Sequence, residues 1–389
     1  MKAREPEPRM GGRNMIKIVA DDNIPYLKGA LEPYASINYM DGGEIVPVMV
    51  KHADALLIRT RTQCNESLLY NSRVKFIGTA TIGLDHIDTV YCHSRSIRYA
   101  NAPGCNAVSV QQYIASVLAN LKLRYGVSLS GKTIGIIGVG NVGKRVEKLA
   151  RQLGMKVLLN DPPRARIEGN TGFVTLEKFL KESDIVTLHV PLNRSGKDKT
   201  VHLISHSNIN FFKPGSWLIN TARGEVADEN VLMEGLSDKR LAGVVLDVWD
   251  NEPSIDKKLI DKATFATPHI AGYSADGKRN GTIQVVRSLG DYFGLPLNDW
   301  EPAGIPEPRH PIIALDCTGK SLDELACEAI LDTYDIRDDD YRFRLNPGKF
   351  EELRGNYPLR REFPAYKIKL VNDNSNIKAM FLGLGFSVI

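Results

Sequence analysis

The chain has 389 residues with 43% hydrophobic and 25% charged residues, and its formal net charge is +4. At roughly 100–200 residues per domain, this length predicts two or three domains, and the composition excludes a disordered or fibrous protein. No apolar run approaches the ~20 residues that cross a bilayer, and the small, scattered positive charge gives little support for nucleic-acid binding.

The N-terminal segment and the cysteines indicate the class of protein and its compartment. Residues 1–14 are polar, rich in proline and glycine, and lack the apolar core of a signal peptide, so they are predicted to be a disordered extension. No two cysteines have the two-residue gap of a metal or redox motif, which favours free thiols in a reducing compartment. We therefore expect a cytoplasmic protein without a metal site. The cysteines are Cys64, Cys92, Cys105, Cys317 and Cys327.

From Met15 onward, short apolar strands alternate with helices, which predicts βαβ units and a parallel sheet. Strands are predicted at Ile16–Ala20, Ala55–Ile58 and Val74–Thr79, and each ends in a polar or glycine-containing turn. An amphipathic helix is predicted over Val108–Leu123, where apolar residues recur at helical spacing. This first part of the chain is therefore expected to form an α/β domain.

A second array of strands and helices begins at Lys132. Its first strand leads into Gly138-Val-Gly-Asn-Val-Gly143 and a helix predicted over Lys144–Leu153, which is the G-x-G-x-x-G arrangement of a Rossmann domain. The strands predicted to follow are Lys156–Asn160, Ile185–His189, Trp217–Asn220, Gly243–Asp247 and Phe265–Thr267.

The end of the chain has a different composition. A helix predicted over Thr282–Phe293 leads into the proline-rich stretch from Leu297 to Pro311, which is typical of a domain linker. Beyond it, the sequence predicts one clear helix, Ser321–Thr333, and aromatic segments with β propensity near the end. A further small domain is therefore expected.

The glycine motif predicts a site for a dinucleotide. Gly138 permits the tight turn after the strand, Gly140 lets the backbone approach a pyrophosphate, and Gly143 allows the helix to pack closely on the sheet. The helix N-terminus then offers unbonded N–H groups to the phosphates. Asp161 lies about 20 residues downstream, where the motif places an acidic residue on the ribose hydroxyls. Its charge would repel a 2′-phosphate and favours NAD, while Arg164 leaves NADP open as an alternative.

Three candidate catalytic residues each follow a predicted strand, where ligands bind in open α/β sheets. His269 has a side chain whose pKa suits proton transfer from an alcohol. Glu252 could bond the other ring nitrogen and fix the tautomer, and Arg223 could bind a substrate carboxylate in a bidentate manner. Taken singly, the alternatives are a loop histidine and a solvated ion pair. Their segments are Asn220-Thr-Ala-Arg-Gly-Glu225, Asp247-Val-Trp-Asp-Asn-Glu-Pro253 and Thr267-Pro-His-Ile-Ala-Gly-Tyr273.

The glycine motif and these three segments resemble those of the D-isomer-specific 2-hydroxyacid dehydrogenase family. Further segments resemble the branch of that family that oxidises 4-phospho-D-erythronate in pyridoxal 5′-phosphate biosynthesis. These segments are Gly78-Thr-Ala-Thr81, Gly83-Leu-Asp-His-Ile-Asp88, Asn160-Asp-Pro-Pro163, His269-Ile-Ala-Gly-Tyr273 and Tyr334-Asp-Ile-Arg-Asp-Asp339.

The resemblance implies the fold class and the assembly. It implies an α/β chain in which a Rossmann-type NAD domain, residues 108–269, is inserted in a flavodoxin-like substrate domain, residues 15–107 and 270–296. It also implies a small C-terminal α+β dimerisation domain, residues 297–389, and hence a homodimer.

The resemblance also implies roles for individual residues. Arg223, Glu252 and His269 become active-site residues, with His269 the proton donor or acceptor. Thr60, Thr81 and Tyr273 are assigned to the substrate, although Thr60 stands where the family usually has serine. Together with the glycine motif, the resemblance predicts a set of residues that bind NAD. That set is Gly138, Gly140, Asn141, Val142, Gly143, Asp161, Asp247 and Gly272.

A 4-phosphoerythronate has a carboxylate and a phosphate, so a second cationic group is needed beside Arg223. The loop Arg59-Thr-Arg-Thr62 follows a predicted strand and could bind the phosphate, with Arg59 preferred; the alternative is a solvated basic loop. Three arginines near the C-terminus are expected on a solvated face, or else at a partner's active site. These are Arg354, Arg360 and Arg361.

The expected reaction is thus NAD-dependent oxidation of 4-phospho-D-erythronate to (R)-3-hydroxy-2-oxo-4-phosphonooxybutanoate. Two alternatives stay open. One is another D-2-hydroxyacid dehydrogenase, such as one that acts on 3-phosphoglycerate. The other is an NAD-sensing binding protein on the same fold, since a fold alone does not determine a function.

Overall fold

The computed structural model describes residues 15–372 and 375–389, so the predicted extension at residues 1–14 lies outside the described residues. The chain divides into two compact units. The first contains the chain up to Cys105 and Lys278–Gly304, and the second contains Asn106–Gly277 and Ile305–Ile389.

The first unit is built on a parallel sheet with the strand order β2–β1–β3–β4–β5, which is the flavodoxin-like order. Apolar side chains cover both faces of this sheet, as parallel sheets require. In chain order, its elements are β1 (Ile16–Asp21), β2 (Ala35–Met40), α1 (Pro47–Val50), β3 (Ala55–Ile58), α2 (Glu66–Leu69), β4 (Phe76–Thr79), α3 (Thr89–Ser94) and β5 (Arg98–Ala100).

The second unit begins with a long buried helix and continues as alternating strands and helices. Its elements up to the return to the first unit are α4 (Ala107–Tyr125), β6 (Thr133–Ile137), α5 (Asn141–Gln152), β7 (Lys156–Asn160), α6 (Pro162–Glu168), α7 (Leu176–Glu182), β8 (Ile185–Leu188), β9 (Ser216–Asn220), α8 (Glu229–Ser237), β10 (Leu241–Leu246), α9 (Lys257–Lys262) and β11 (Phe265–Ala266). The next helix, α10 (Ala275–Phe293), belongs to the first unit from Lys278 onward.

The strands of this unit form a parallel sheet with the order β11–β10–β9–β8–β6–β7. An isolated parallel β-bridge pairs Leu159 of β7 with Phe173. The segment around Phe173 therefore lies at the sheet edge beyond β7, which completes the Rossmann order around β6. The strand order reverses at β6, so the turn between β6 and α5 lies at the point where such sheets bind their ligands.

The C-terminal part contains helices and a parallel sheet with the order β12–β13–β14. It belongs to the second unit because its apolar side chains share one continuous core with α4 and α5. Its elements are β12 (Ile312–Asp316), α11 (Leu322–Thr333), α12 (Ile336–Leu345), α13 (Phe350–Gly355), β13 (Lys367–Val371), α14 (Ser375–Leu384) and β14 (Ser387–Val388).

Helix α4 is buried on nearly all sides, and its polar residues bind the C-terminal part. The Ser116 hydroxyl accepts a hydrogen bond from the backbone N–H of Ile336 at 2.9 Å, and Asn120 donates to Asp335 at 3.1 Å. Because buried polar groups cost free energy unless they are bonded, these contacts fix the register of the packing.

The predicted fold class is confirmed. The chain is α/β with parallel sheets, it contains a Rossmann-type array, and a C-terminal part with both helices and strands is present. Among residues 15–372 and 375–389, none of the helices has the length and apolar character needed to cross a bilayer.

Candidate active site

The turn between β6 and α5 has the form of a phosphate cradle. Gly138 has a φ of +84°, and a Cβ atom there would lie 2.7 Å from the carbonyl oxygen of His189. A Cβ on Gly143 would lie 2.1 Å from the carbonyl oxygen of Gly138, so close packing of the helix on the turn requires glycine. A Cβ on Gly140, in contrast, would meet no atom within 4 Å. This open space lies where the motif places a pyrophosphate.

The start of α5 supplies donors for that space. Gly140 is the N-cap, and no side chain caps the helix, so the first N–H groups of α5 have no intrahelical partner. Asn141 and Val142 form the first turn of this helix. The combination of open backbone and the positive end of a helix fits a dinucleotide phosphate.

Asp161 lies beside this turn at the end of β7. One carboxylate oxygen accepts a hydrogen bond from the N–H of Val139 at 2.8 Å, and the other caps α6 by accepting from the N–H of Arg164 at 3.0 Å. The carboxylate is thus held next to the glycine turn.

Arg164 is already occupied by bonds to the protein. Its Nε and Nη2 donate to the two oxygens of Glu168 at 2.7 and 2.6 Å, and its Nη1 donates to the carbonyl of Val139 at 2.8 Å. A guanidinium bound in this way is poorly suited to hold a 2′-phosphate, while Asp161 repels one. The local electrostatics therefore favour NAD over NADP.

His269 and Glu252 form a hydrogen-bonded pair. The distance from His269 Nδ1 to Glu252 Oε2 is 2.7 Å, and the other oxygen of Glu252 accepts from the backbone N–H of Trp249 at 2.9 Å. Because a carboxylate can only accept, Nδ1 carries the proton and Nε2 remains a proton acceptor. The pair is thus arranged for a general base.

The charge of Glu252 is favoured by its surroundings. Burial by itself raises the pKa of Glu252, but the hydrogen bond and charge of His269, the Trp249 N–H and the charge of Arg354 together hold the pKa below its usual value. Glu252 is therefore ionised at neutral pH and can stabilise a protonated imidazole ring.

Asp247 anchors the turn that follows His269. It is buried, and its carboxylate accepts hydrogen bonds from the Thr267 hydroxyl at 2.7 Å and from the N–H groups of Ile270 and Ala271 at 2.8 and 2.9 Å. His269 itself has a φ of +55°, a region that is uncommon for residues other than glycine. Its own N–H donates to the Asp247 carbonyl at 2.7 Å, so Asp247 holds the turn by backbone and side chain.

Arg223 follows β9, which pairs with β10 in the same sheet. Its loop is held by Asn220, whose side chain donates to the Arg223 carbonyl at 2.9 Å. A Cβ on Gly224 would lie 1.9 Å from the carbonyl carbon of Trp249, so glycine allows this loop to lie directly against the segment that carries Glu252. The sheet therefore brings the Arg223 loop to the same edge as the His269–Glu252 pair.

Gly272 and Tyr273 lie directly after Ala271, in the turn that follows His269. A Cβ on Gly272 would lie 2.1 Å from the side-chain nitrogen of Asn106, so the backbone of the turn approaches the start of α4 closely. The ring of Tyr273 packs edge-to-face on Tyr357, with 5.8 Å between the ring centroids. The guanidinium of Arg354 lies 5.8 Å from the Tyr273 ring centroid.

The predicted substrate loop of the first unit follows β3. Arg61 forms an ion pair with Asp41 at 2.8 Å, and the buried Thr62 hydroxyl donates to the Gly42 carbonyl at 2.8 Å. Arg59 donates to the backbone carbonyl of Asn23 at 3.1 Å, and Thr60 is exposed. The charge of Arg61 is thus paired with a carboxylate, whereas Arg59 donates to a backbone carbonyl that does not neutralise its charge, which is consistent with the preference for Arg59.

Thr81 lies in a short network of the first unit. Its hydroxyl is 2.7 Å from that of Thr79, which is 3.0 Å from Nε2 of the buried His86. Burial lowers the pKa of His86, so this histidine is neutral at physiological pH. Within the described residues, no group of His, Cys, Asp and Glu side chains is arranged to hold a metal ion.

Comparisons with known proteins decide the family. A family model described as the D-isomer specific 2-hydroxyacid dehydrogenase, NAD binding domain, matches residues 104–271. Erythronate-4-phosphate dehydrogenase of Bacteroides fragilis is 46% identical over 91% of this chain and 99% of its own length. That of Proteus mirabilis is 39% identical over 96% of this chain and 99% of its own. The chain belongs to the erythronate-4-phosphate dehydrogenase family.

Solved structures agree with this membership. D-lactate dehydrogenase from Aquifex aeolicus, in complex with NAD and lactic acid, has a TM-score of 0.60 and 26% identity, and covers 75% of this chain and 100% of its own. NAD-bound 3-phosphoglycerate dehydrogenase of Entamoeba histolytica has a TM-score of 0.61 and 25% identity, with the same coverage. The predictions of the family, of an NAD-dependent oxidoreductase and of NAD as cofactor are confirmed.

In this member of the erythronate-4-phosphate dehydrogenase family, a second model matches residues 307–385 and is described as a domain of unknown function. The sequence predicted a solvated face for the arginines of this region, and that prediction is wrong for two of them. Arg360 and Arg361 are only 5% and 8% exposed, because both bind the backbone or carboxylates of their own chain. The reach of these arginines to a partner's active site stays a prediction.

Proposed function

We propose that this chain oxidises 4-phospho-D-erythronate to (R)-3-hydroxy-2-oxo-4-phosphonooxybutanoate with NAD, as a step of pyridoxal 5′-phosphate biosynthesis. The observation that carries the chemistry is the 2.7 Å contact between His269 and Glu252, after strands of a sheet that bears an NAD turn. The substrate follows from the relatives named erythronate-4-phosphate dehydrogenase, which span 91% or more of the chain.

Different residues of the chain carry out different parts of the reaction. Nε2 of His269 removes the proton of the substrate's C2 hydroxyl, while the hydrogen on C2 leaves with its electron pair as hydride. Bound NAD supplies the acceptor for that hydride. Glu252 keeps Nδ1 protonated and stabilises the imidazolium that forms. Arg223 pairs with the substrate carboxylate and orients the hydroxyl next to it.

The proposed NAD site is the cradle between β6 and α5. Gly138, Gly140 and Gly143 shape it, and Asn141 and Val142 offer the first N–H groups of α5. Asp161 binds the ribose hydroxyls. We propose that Asp247 and Gly272 contribute through the turn after His269, where Asp247 fixes the backbone next to the cofactor.

We propose that the substrate's phosphate end is bound by Arg59, Thr60 and Thr81, and that Tyr273 also contacts the substrate. The support for Arg59 and Thr60 is that their neighbours Arg61 and Thr62 already bind Asp41 and Gly42. A guanidinium and hydroxyls at the end of a strand have the donors that a phosphate needs.

The same proposal assigns roles to the parts of the chain. Residues 15–107 and 270–296 bind the substrate, residues 108–269 bind NAD, and residues 297–389 join two copies into a cytoplasmic homodimer.

Support for association comes from large apolar side chains that the C-terminal part exposes, as at interaction surfaces. They include Ile312, Tyr341, Leu345, Leu359, Leu382 and Ile389. Sedimentation equilibrium tests this, and a monomer at micromolar concentration would contradict it.

A substrate panel tests the proposed reaction. NADH formation is followed with 4-phospho-D-erythronate, 3-phosphoglycerate and D-lactate at equal concentrations. We expect the highest kcat/KM for 4-phospho-D-erythronate, by at least about tenfold, because D-lactate lacks a phosphate and 3-phosphoglycerate is one carbon shorter, so each should lose contacts with the proposed phosphate-binding residues. Preference for 3-phosphoglycerate would overturn the substrate, and NAD binding without turnover of any of them would indicate a binding protein.

A further inference from the structure

The turn that carries His269 is held from outside the Rossmann sheet by the chain's own C-terminal part. We call residues 269–276 the catalytic turn and residues 350–362 the C-terminal brace. Arg360 donates from Nη2 to the Ala271 carbonyl at 2.6 Å, and its own carbonyl accepts from the N–H of Ala275 at 2.9 Å. The brace therefore bonds the backbone of the catalytic turn at two points.

Side chains add to these backbone bonds. Arg361 binds both carboxylate oxygens of Asp276, at 2.9 and 3.1 Å, and Asp276 also accepts from the N–H of Glu362 at 3.0 Å. The carboxylate of Glu362 accepts from the Ser274 hydroxyl at 2.8 Å. Bidentate and charge-assisted bonds of this kind are the stronger ones in proteins, so the end of the turn is firmly fixed.

Arg360 is itself held by a buried network. Its guanidinium lies 4.4 Å from the ring centroid of Tyr334, and the hydroxyls of Tyr334 and Tyr357 both donate to the buried Asp339 at 2.7 Å. A buried cation is tolerated only when nearby groups compensate it, which these rings and the carboxylate do.

Arg354 is the brace residue that contacts Tyr273 and whose charge acts on Glu252. Its guanidinium lies over the Tyr273 ring, and its charge is among those that act on Glu252. It also forms an ion pair with Glu351 at 2.9 Å, but Glu351 is 59% exposed, and such surface pairs contribute little. The Nε atom of Arg354 is buried and has no hydrogen-bond partner among the described residues. The surface pair therefore does not account for the placement of this guanidinium.

We propose that the C-terminal brace serves the active site of its own chain, and that Arg354 is a positioning residue that acts through Tyr273 and Glu252. Its guanidinium holds the Tyr273 ring in place against Tyr357. Its positive charge adds to the interactions with His269 and the Trp249 N–H that favour the ionised form of Glu252, which orients His269. This gives a role within one chain to the region that matches a domain of unknown function. The inference rests on the proposed oxidation of a 2-hydroxy acid.

The test separates the charge of Arg354 from its shape. Arg354→Met removes both, Arg354→Lys keeps the charge without the planar group, and Lys349→Met is the matched control, since Lys349 is an exposed cation just before the same helix. For each variant, kcat and KM are measured with 4-phospho-D-erythronate across pH, together with the Kd for NAD and the melting temperature.

We expect Arg354→Met to lower kcat/KM by roughly tenfold and to move the acidic limb of its pH profile to higher pH. Arg354→Lys should restore the pH profile but leave KM raised, because the ammonium cannot lie flat on the ring. Lys349→Met should match the wild type, and the Kd for NAD should stay within twofold throughout. A merely structural role would instead move melting temperature, NAD binding and kcat together.

The proposal is overturned if Arg354→Met and Lys349→Met have the same kcat, KM and pH profile. If the wild type oxidises a different 2-hydroxy acid, the proposed substrate fails and the variants are compared on that acid. A readout without substrate is the carboxyl ¹³C signal of Glu252, assigned with Glu252→Gln. Its titration should move to higher pH in Arg354→Met, and an unchanged titration would contradict the proposed action on Glu252.

Discussion

The glycine turn between β6 and α5 and the catalytic turn of residues 269–276 are built in opposite ways. The glycine turn depends on backbone shape: Gly138 supplies a positive φ and Gly143 supplies close packing within six residues. The catalytic turn depends on distant side chains, with Asp247 on one side and Arg360 and Glu362 on the other. A substitution in the first should therefore act locally, whereas the second can be disturbed from far along the chain.

The largest expected effect comes from replacing His269, the reacting residue of the catalytic turn. His269→Ala removes the proton acceptor, so kcat should fall by about 10²–10⁴-fold, while the Kd for NAD changes little. Initial rates of NADH formation measure this. His206→Ala is the matched control, because this histidine is exposed, and it should keep wild-type activity. Undiminished kcat in His269→Ala would contradict the proton-transfer role.

The next effect is measured by comparing substitutions at two glycines of the turn between β6 and α5. Gly143→Ala places a Cβ against the Gly138 carbonyl, so we expect a loss of stability of about 1–3 kcal/mol as well as weaker NAD binding. Gly140→Ala projects into open space, so it should leave the melting temperature unchanged and weaken only NAD binding. Unfolding curves and NADH fluorescence titrations distinguish the two. Equal destabilisation by both substitutions would contradict the cradle.

The smallest effect concerns a partly buried histidine beside the glycine turn. His189 lies between the hydroxyls of Thr187 and Thr221, at 3.0 and 3.3 Å, and burial lowers its pKa from 6.5 to about 3. Between these pH values the unfolded chain binds a proton that the folded chain does not, so stability falls as the pH falls below 6.5.

The variant His189→Gln lacks this proton uptake. On going from pH 7 to pH 5, the wild type should therefore lose about 1–2 kcal/mol more stability than the variant. Urea unfolding at the two pH values measures the difference, with His206→Gln as the exposed control. The same loss in wild type and His189→Gln would show that His189 is protonated in the folded protein.

The sequence predicted those elements whose signal is local. The predicted bounds of β3 and β7 match the structure, since each is an uninterrupted or nearly uninterrupted apolar run between polar residues. Helix α10 begins at Ala275 rather than at the predicted Thr282. Its first turns are polar, and one of these polar residues, Asp276, binds Arg361, a partner that no local pattern reveals.

Strands β2, β5, β12 and β13 were not predicted. β5 has only three residues, and the other strands mix polar with apolar side chains because part of each strand faces solvent. Alternation of this kind is weak evidence unless the partner strand is known.

The candidate site likewise contains residues that the sequence predicted and residues that it did not. His269, Glu252 and Arg223 could be predicted because each has a chemical role and follows a strand. The brace could not, because charged residues normally indicate surface, and Arg360 and Arg361 are buried against partners that include Ala271 and Asp276, which lie 89 and 85 residues away in sequence. One signal was available: Ser109, Gln112, Ser116 and Asn120 recur at helical spacing on a helix that is mostly apolar up to Leu121. Each of them binds the C-terminal part.

The central claim is that hydride passes from C2 of the substrate to NAD while His269 takes the hydroxyl proton. Its most direct test uses 4-phospho-D-erythronate that carries deuterium at C2, with the NADH product examined by NMR. The account predicts deuterium at C4 of the nicotinamide ring in the wild-type reaction and transfer that is at least about a hundredfold slower in His269→Ala. NADH that contains only protium at this position would contradict it.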